Sequence, residues 1–229
     1  MLSETAAIPQ MNFTQIIDGV TGLEHTMGMT PLYDDVIEIF RTRGTGVTPT
    51  LLVVYNGPVG QAYFDQSQRY WEDENLLRFS TEERLRGRFR RVTHYWDDDL
   101  YSSEMVGAMK RLLDAGVLIN AGGHGQMPGR DMHWEMELFV QGGFSEMDAL
   151  QTATRNSAVY HGLGADLGSI EAGKLADLVV LAADPLADIR NSQEIVYVVT
   201  NGVVYSGEDA SRVYPGPVAA PAMYFQRER

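Results

Sequence analysis

Two apolar segments that flank an amphipathic helix constrain the fold of this chain more than any other feature. Residues 21–26 predict a short strand that ends at His25, and residues 47–55 predict a longer buried strand. Between them, residues 33–43 place apolar side chains at helical spacing behind an acidic start, and the glycines at 44–46 end the helix. Because a strand–helix–strand unit of this length returns the chain in the same direction, we expect a parallel sheet.

The chain continues with the same alternation. A helix is predicted over 103–115, with Ser102 or Ser103 as its N-cap, and a third parallel strand over 117–124 ends in a glycine loop. Further helices are predicted downstream, and residues 56–100 are interpreted as an insertion rather than a core element. The order predicts an α/β fold that is barrel-like or doubly wound. The shorter predicted helices cover 13–19, 66–75, 81–90, 132–140, 145–154 and 156–163.

The C-terminal third has the pattern of a small antiparallel sheet. Residues 176–181 predict a buried strand, which Asp184 and Pro185 end because proline has no amide hydrogen for a ladder. Residues 195–200 predict a second strand, and Asn201-Gly202 is a strong signal for a two-residue hairpin turn into residues 203–205. The segment after residue 206, rich in proline, alanine and glycine, is expected to be irregular.

Composition excludes several classes of function. The chain has 229 residues, a formal net charge of −13 and no cysteine. The negative charge argues against nucleic acid and anionic membrane surfaces as partners, and the missing thiols exclude disulfides and thiolate catalysis. No segment is long enough to span a bilayer, and the first ten residues lack the pattern of a secretory signal. These features leave the compartment open, with the cytoplasm as the default expectation, and the expected partner is a small-molecule substrate.

Histidines mark the candidate site. His25 and His124 both fall where parallel strands are predicted to end, and α/β enzymes place their chemistry at such ends. Neutral imidazole is a good zinc ligand, and zinc lowers the pKa of a bound water to about 7. A structural, hydrogen-bonded role is the alternative for each ring. His133, at the start of the next helix, either points into the same site or caps the helix and packs against Trp134. Glu135 is either an acceptor that orients an imidazole or, as we favour, a residue on a solvated face.

Five motifs in this order resemble one branch of the amidohydrolase superfamily, similar to imidazolonepropionases and prolidases, whose members often carry a TolB-like propeller. The resemblance covers nearly all of residues 12–207. The motifs are Asp18-Gly-Val-Thr-Gly-Leu-Glu-His25, Thr48-Pro-Thr-Leu51, Gly123-His-Gly-Gln126, His133-Trp-Glu135 and the run from Leu167 to Leu181.

The resemblance implies a partial TIM-type (β/α) barrel, with strands ending at His25, Val54 and His124 equivalent to barrel strands six to eight. The barrel portion would occupy residues 1–165 with the insertion at 56–100, and the hairpin segment of a small β-sandwich would occupy 166–207. Residues 208–229 would form an irregular tail.

The resemblance also implies a site with a divalent metal, zinc by preference. His25 matches the histidine ligand of strand six, and His124 stands where most members place a catalytic aspartate. His124 is therefore the candidate catalytic residue as well as a candidate ligand, and His133 is the candidate third ligand.

The resemblance implies a hydrolase that attacks C–N bonds, including dipeptide-like ones, or related ester and lactone bonds through metal-activated water. The His-x-His pair of strand one, the bridging lysine or acid of strand four and the histidine of strand five have no counterparts in this sequence. The alternatives are a half-barrel without catalysis that associates with itself, and a subunit that completes another chain carrying the missing half.

Overall fold

The computed structural model describes residues 1–6, 8–27, 31–53, 60–89, 94–96, 103–125 and 127–226, without the side chains of 86–89 and 103. The fold is mixed α/β, with one parallel and one antiparallel sheet. The strands are β1 (Leu2–Glu4), β2 (Gly22–Glu24), β3 (Gly46–Thr48), β4 (Leu178–Leu181), β5 (Ile195–Thr200), β6 (Val203–Ser206) and β7 (Arg212–Tyr214). The helices are α1 (Pro9–Ile17), α2 (Asp34–Arg43), α3 (Gln61–Ser67), α4 (Glu74–Phe79), α5 (Glu82–Phe89), α6 (Ser103–Asp114), α7 (Asp131–Gln141), α8 (Glu146–Ala153) and α9 (Arg155–Tyr160).

The parallel sheet has the order β1-β2-β3, as the strand–helix–strand pattern predicts for its last two strands. The predicted strand over 117–124 contributes one parallel bridge, in which Ile119 pairs with Val47. Strand β1 was not expected, because three residues with two polar side chains give no strand signal. In the sheet it lies beside β2 in parallel register.

Strand β3 is shorter than the sequence predicts. It ends at Thr48 because Pro49 follows and cannot donate to a ladder. Thr50 then adopts a left-handed backbone with φ of 51°, and Leu51–Val53 form a 3-10 turn. The predicted end of this strand, residues 54 and 55, lies outside the described residues.

The core lies between one face of the parallel sheet and the helices. Leu23, Val47 and Ile119 are buried on that face. The predicted insertion joins this core, since Phe64 of α3 stacks on Trp134 of α7 with ring centroids 4.5 Å apart. The interpretation of residues 56–100 as separate from the core is therefore wrong for the part that the structure describes. Burying such aromatic rings supplies a large share of the apolar area removed from water.

The other face of the parallel sheet is occupied by a tyrosine. The Tyr160 ring lies against Gly22 and Gly46, so close that a Cβ built on Gly22 would stand 1.8 Å from its hydroxyl oxygen. The same hydroxyl donates a hydrogen bond of 2.9 Å to Glu24. Burial and the negative charge of Glu24 raise the pKa of Tyr160, so the hydroxyl stays protonated as the donor.

The antiparallel sheet has the order β4-β5-β6-β7. Asn201 and Gly202 both have positive φ, 49° and 76°, which confirms the predicted hairpin turn between β5 and β6. The expectation that the tail after residue 206 is irregular is wrong in part, because β7 pairs with β6. Within the described parts of the chain, every helix is too short or too polar to cross a bilayer.

Replacing Gly22 with alanine tests how tightly Tyr160 packs on the sheet. We expect Gly22→Ala to lower the free energy of unfolding by about 1–3 kcal/mol, because the added methyl group overlaps the tyrosine. Gly107→Ala is the control, since its Cβ meets no atom within 4 Å on helix α6 and should stabilise the protein by about 0.5–1 kcal/mol. Urea unfolding measures both, and equal stability of Gly22→Ala and wild type would contradict the described packing.

Candidate functional site

Three side chains meet at one rim of the parallel sheet, beyond the carboxyl ends of its strands. The rings of His25 and His124 have centroids 5.3 Å apart and are tilted by 56°. Glu4, the last residue of β1, places Oε1 3.1 Å from Nε2 of His25. We call Glu4, His25 and His124 the rim cluster.

His25 is held by the end of strand β2. Its backbone has a φ of 67°, and its amide donates a hydrogen bond of 2.7 Å to the carbonyl of Thr48 on the neighbouring strand. This left-handed conformation is uncommon outside glycine and turns the chain away from the strand direction. The side chain of His25 is 12% exposed, and the largely exposed Glu4 carboxylate contacts its Nε2.

His124 lies in a loop of glycines that leaves it open to solvent. The residue is exposed, and Gly125 after it has a φ of 73°. Gly123 packs on helix α7, where a Cβ would approach the Cβ of Asp131 to 2.9 Å. The glycines therefore bring the loop close to the helix and leave the imidazole accessible.

Glu135 is completely buried on helix α7, so the expectation of a solvated face is wrong. Its Oε1 accepts a hydrogen bond of 2.7 Å from the amide of Leu51, and its Oε2 accepts one of 3.2 Å from the amide of Leu52. The amide of Gly122 donates to the same carboxyl. Burial raises the pKa of Glu135 to about 8, although the three amide hydrogen bonds oppose this rise.

His133 lies apart from the rim cluster. Its Nδ1 is 2.9 Å from the hydroxyl oxygen of Ser192, and the ring lines a cavity of about 430 Å³ together with Arg130 and Gln193. Burial first, and the nearby Arg130 second, lower the pKa of His133 to about 4, so the ring is neutral at physiological pH. The ring contacts the 3-10 turn Ile189–Gln193 through Ser192.

The three predicted ligands do not form one metal site. Across the described ranges, no group of three or more histidine, cysteine, aspartate or glutamate side chains is arranged to hold a metal ion. A catalytic zinc usually has three protein ligands, whereas His25 and His124 are the only predicted ligands that the structure brings together. The residues described here therefore do not fit a complete metal site.

Two further groups at the site differ from the expectations: Glu4 was not predicted, and Glu135 was predicted in the wrong environment. Glu4 was missed because β1 itself was missed. Glu135 carried a usable signal, because Leu138 and Phe139 place apolar groups on either side of it around α7, and Trp134 and Met136 widen this apolar face. A carboxyl group inside such a helix needs hydrogen-bond partners, and here the backbone amides supply them.

Comparison with known protein families places this chain in a class. The model of the Amidohydrolase family matches residues 77–205, more than half of the chain. The protein belongs to the Amidohydrolase family, as its motifs predict. No curated protein sequence matches it.

Solved structures give the same fold. A Xaa-Pro dipeptidase with bound methionine superposes with a TM-score of 0.62 at 23% identity, over 90% of this chain and 44% of the dipeptidase. Molinate hydrolase follows at 0.61 and 22%, over 97% and 46%. A protein assigned as a prolidase from Bifidobacterium longum reaches 0.60 and 26%, over 96% and 48%. The chain spans less than half the length of each of these proteins.

His133 predicts a pH dependence of stability. Its pKa of about 4 in the folded protein lies below the ordinary 6.5, so the unfolded chain takes up a proton first as the pH falls. Wild type should lose on the order of 2–3 kcal/mol of unfolding free energy between pH 6.5 and pH 4 through this residue. In His133→Asn this contribution should vanish. Urea unfolding across that range measures the difference, and parallel curves for the two proteins would refute the assignment.

Proposed function

We propose that this protein provides part of the active site of a hydrolase that cleaves C–N bonds. The observation that carries the proposal is the meeting of His25 and His124 at the carboxyl rim of a parallel sheet, in a chain of the Amidohydrolase family. A dipeptidase and molinate hydrolase among the structures with this fold support the bond type. Dipeptide-like amides are the first substrates to test, with related esters and lactones next.

The parallel sheet is proposed to be one part of a (β/α) barrel. Strand β1 pairs with β2 on one side only within the described residues, so its other edge presents backbone donors and acceptors. The chain spans 44–48% of the relatives named above, which leaves a comparable length of polypeptide for the remaining strands. We propose that such a segment, or a second copy of this chain, covers the edge.

The rim cluster would work jointly with groups from the remaining strands. Glu4 contacts the His25 ring, and His124 reaches solvent from its glycine loop, where a substrate carbonyl can approach it. Because the described residues do not make a metal site alone, we propose that a divalent ion, zinc by the preference of imidazoles, binds only when the remaining strands add their ligands.

A non-catalytic role is the second candidate. The 3.1 Å contact between Glu4 and His25 favours this role, because the carboxylate lies where a metal ion bound to Nε2 of His25 would lie. In this case the chain would be a scaffold that associates with itself. The two candidates differ in what happens when the remaining strands are supplied.

Metal content and activity distinguish the two candidates. We expect the chain alone to retain little zinc after dialysis and to leave dipeptides intact. When it is co-expressed with, or fused behind, a polypeptide that carries the remaining strands and a His-x-His pair, it should hold stoichiometric metal and hydrolyse dipeptides. Elemental analysis and a ninhydrin assay measure the two quantities.

Matched histidine variants provide the control for that experiment. His25→Asn and His124→Asn should each lower kcat/KM by roughly a hundredfold or more in the completed enzyme, because each ring belongs to the site. His161→Asn alters an exposed ring at the end of α9 and should leave kcat/KM unchanged. A completed protein without metal, with activity no higher than that of His25→Asn, would establish the scaffold role instead.

A further inference from the structure

The buried carboxyl of Glu135 joins two loops that are distant in the sequence. Leu51 and Leu52, whose amides it binds, are 84 and 83 positions away. Gly122, its third donor, begins the loop that carries His124. One side chain on α7 thus ties the loop after β3 to the loop after the strand segment at 117–121.

The two loops touch where Glu135 binds them. A Cβ built on Gly122 would stand 2.6 Å from the hydroxyl oxygen of Thr50 and 2.7 Å from a methyl carbon of Thr48. Only glycine allows this approach, because any side chain at position 122 would overlap Thr48 or Thr50. The position of Gly122 relative to β3 is therefore narrowly determined.

Helix α7 also holds the far end of the His124 loop. Asp131, one turn before Glu135 on the same face, accepts a hydrogen bond of 2.7 Å from the amide of Met127. Glu135 accepts a hydrogen bond from the Gly122 amide and Asp131 accepts one from the Met127 amide, and His124 lies between these two points of the loop. Two carboxyls at a spacing of four residues thus determine where the loop begins and ends.

We propose that Glu135 is a positioning residue for His124, which acts through the loop and does not touch the reacting atoms. Burying a carboxyl group without hydrogen-bond donors costs free energy. The three hydrogen bonds that satisfy Glu135 therefore also restrain the amides that donate them. The catalytic meaning of this role rests on the proposed function. The positioning itself does not, and it can be measured without any activity.

Glu135→Gln tests the proposal by amide hydrogen exchange and histidine NMR. The amide group of glutamine turns one acceptor oxygen into a donor, so it cannot accept from all three backbone amides. We expect exchange at Leu51, Leu52 and Gly122 to accelerate roughly tenfold to a hundredfold relative to amides of α2. The ring signals of His124 should shift, while those of His161 in the same spectrum should not.

Glu137→Gln is the matched control. Glu137 lies on the same helix and is buried like Glu135, but its carboxyl accepts from Gln141. Its variant should leave both the three amides and the His124 ring unchanged. If both variants instead raise exchange uniformly and leave the His124 signals in place, Glu135 is only a structural residue and the proposal is overturned.

A measurement on wild type covers the case in which Glu135→Gln does not fold. The amides of Leu51 and Gly122 should then exchange far more slowly than those of the exposed residues 170–173. Exchange at the rate of an unstructured peptide would overturn the proposal without any variant. Since no substrate is involved, loss of activity in the completed enzyme cannot be mistaken for either result.

Discussion

The burial of helix α7 is the constraint on which the rest of this structure depends. The helix carries Trp134, Leu138 and Phe139 into the core, and Trp134 stacks with Phe64 from a part of the chain that precedes it by some seventy positions. Once those rings are buried, Glu135 has no access to water and must find its partners in the backbone. The partners are amides in the loops that carry the candidate site. The position of the His124 loop therefore depends on how α7 packs in the core.

Long periodic segments could be predicted from the sequence, and short or irregular ones could not. Helices α2 and α6 were predicted within about one residue, because apolar spacing, acidic first turns and glycine ends all agree. The hairpin at Asn201 was equally clear. Strand β1 has no pattern of its own and exists because β2 offers it a partner, and β3 is cut short by Pro49 although its apolar run continues. Tertiary context decided both.

The candidate site was predictable to the same mixed extent. The strand-end rule placed His25 and His124 at one rim, where the structure has them. The rule could not reveal Glu4, because the strand that carries it was not recognised. It also could not predict the orientation of His133, because the direction of a side chain in the first turn of a helix depends on the elements that pack against it. Residue type suggested a third ligand at His133, whereas burial made that ring a neutral partner of Ser192.

The single bridge between Val47 and Ile119 has a kinetic consequence. The bridge connects positions 72 apart, and the hydrogen bond from Asn120 to Val47 connects positions 73 apart, so the chain must close a long loop before either forms. Pairings of such high contact order form slowly, after local helices and hairpins. The two imidazoles become neighbours only when this closure is complete, and a molecule arrested earlier on its folding route presents them as two unrelated rings.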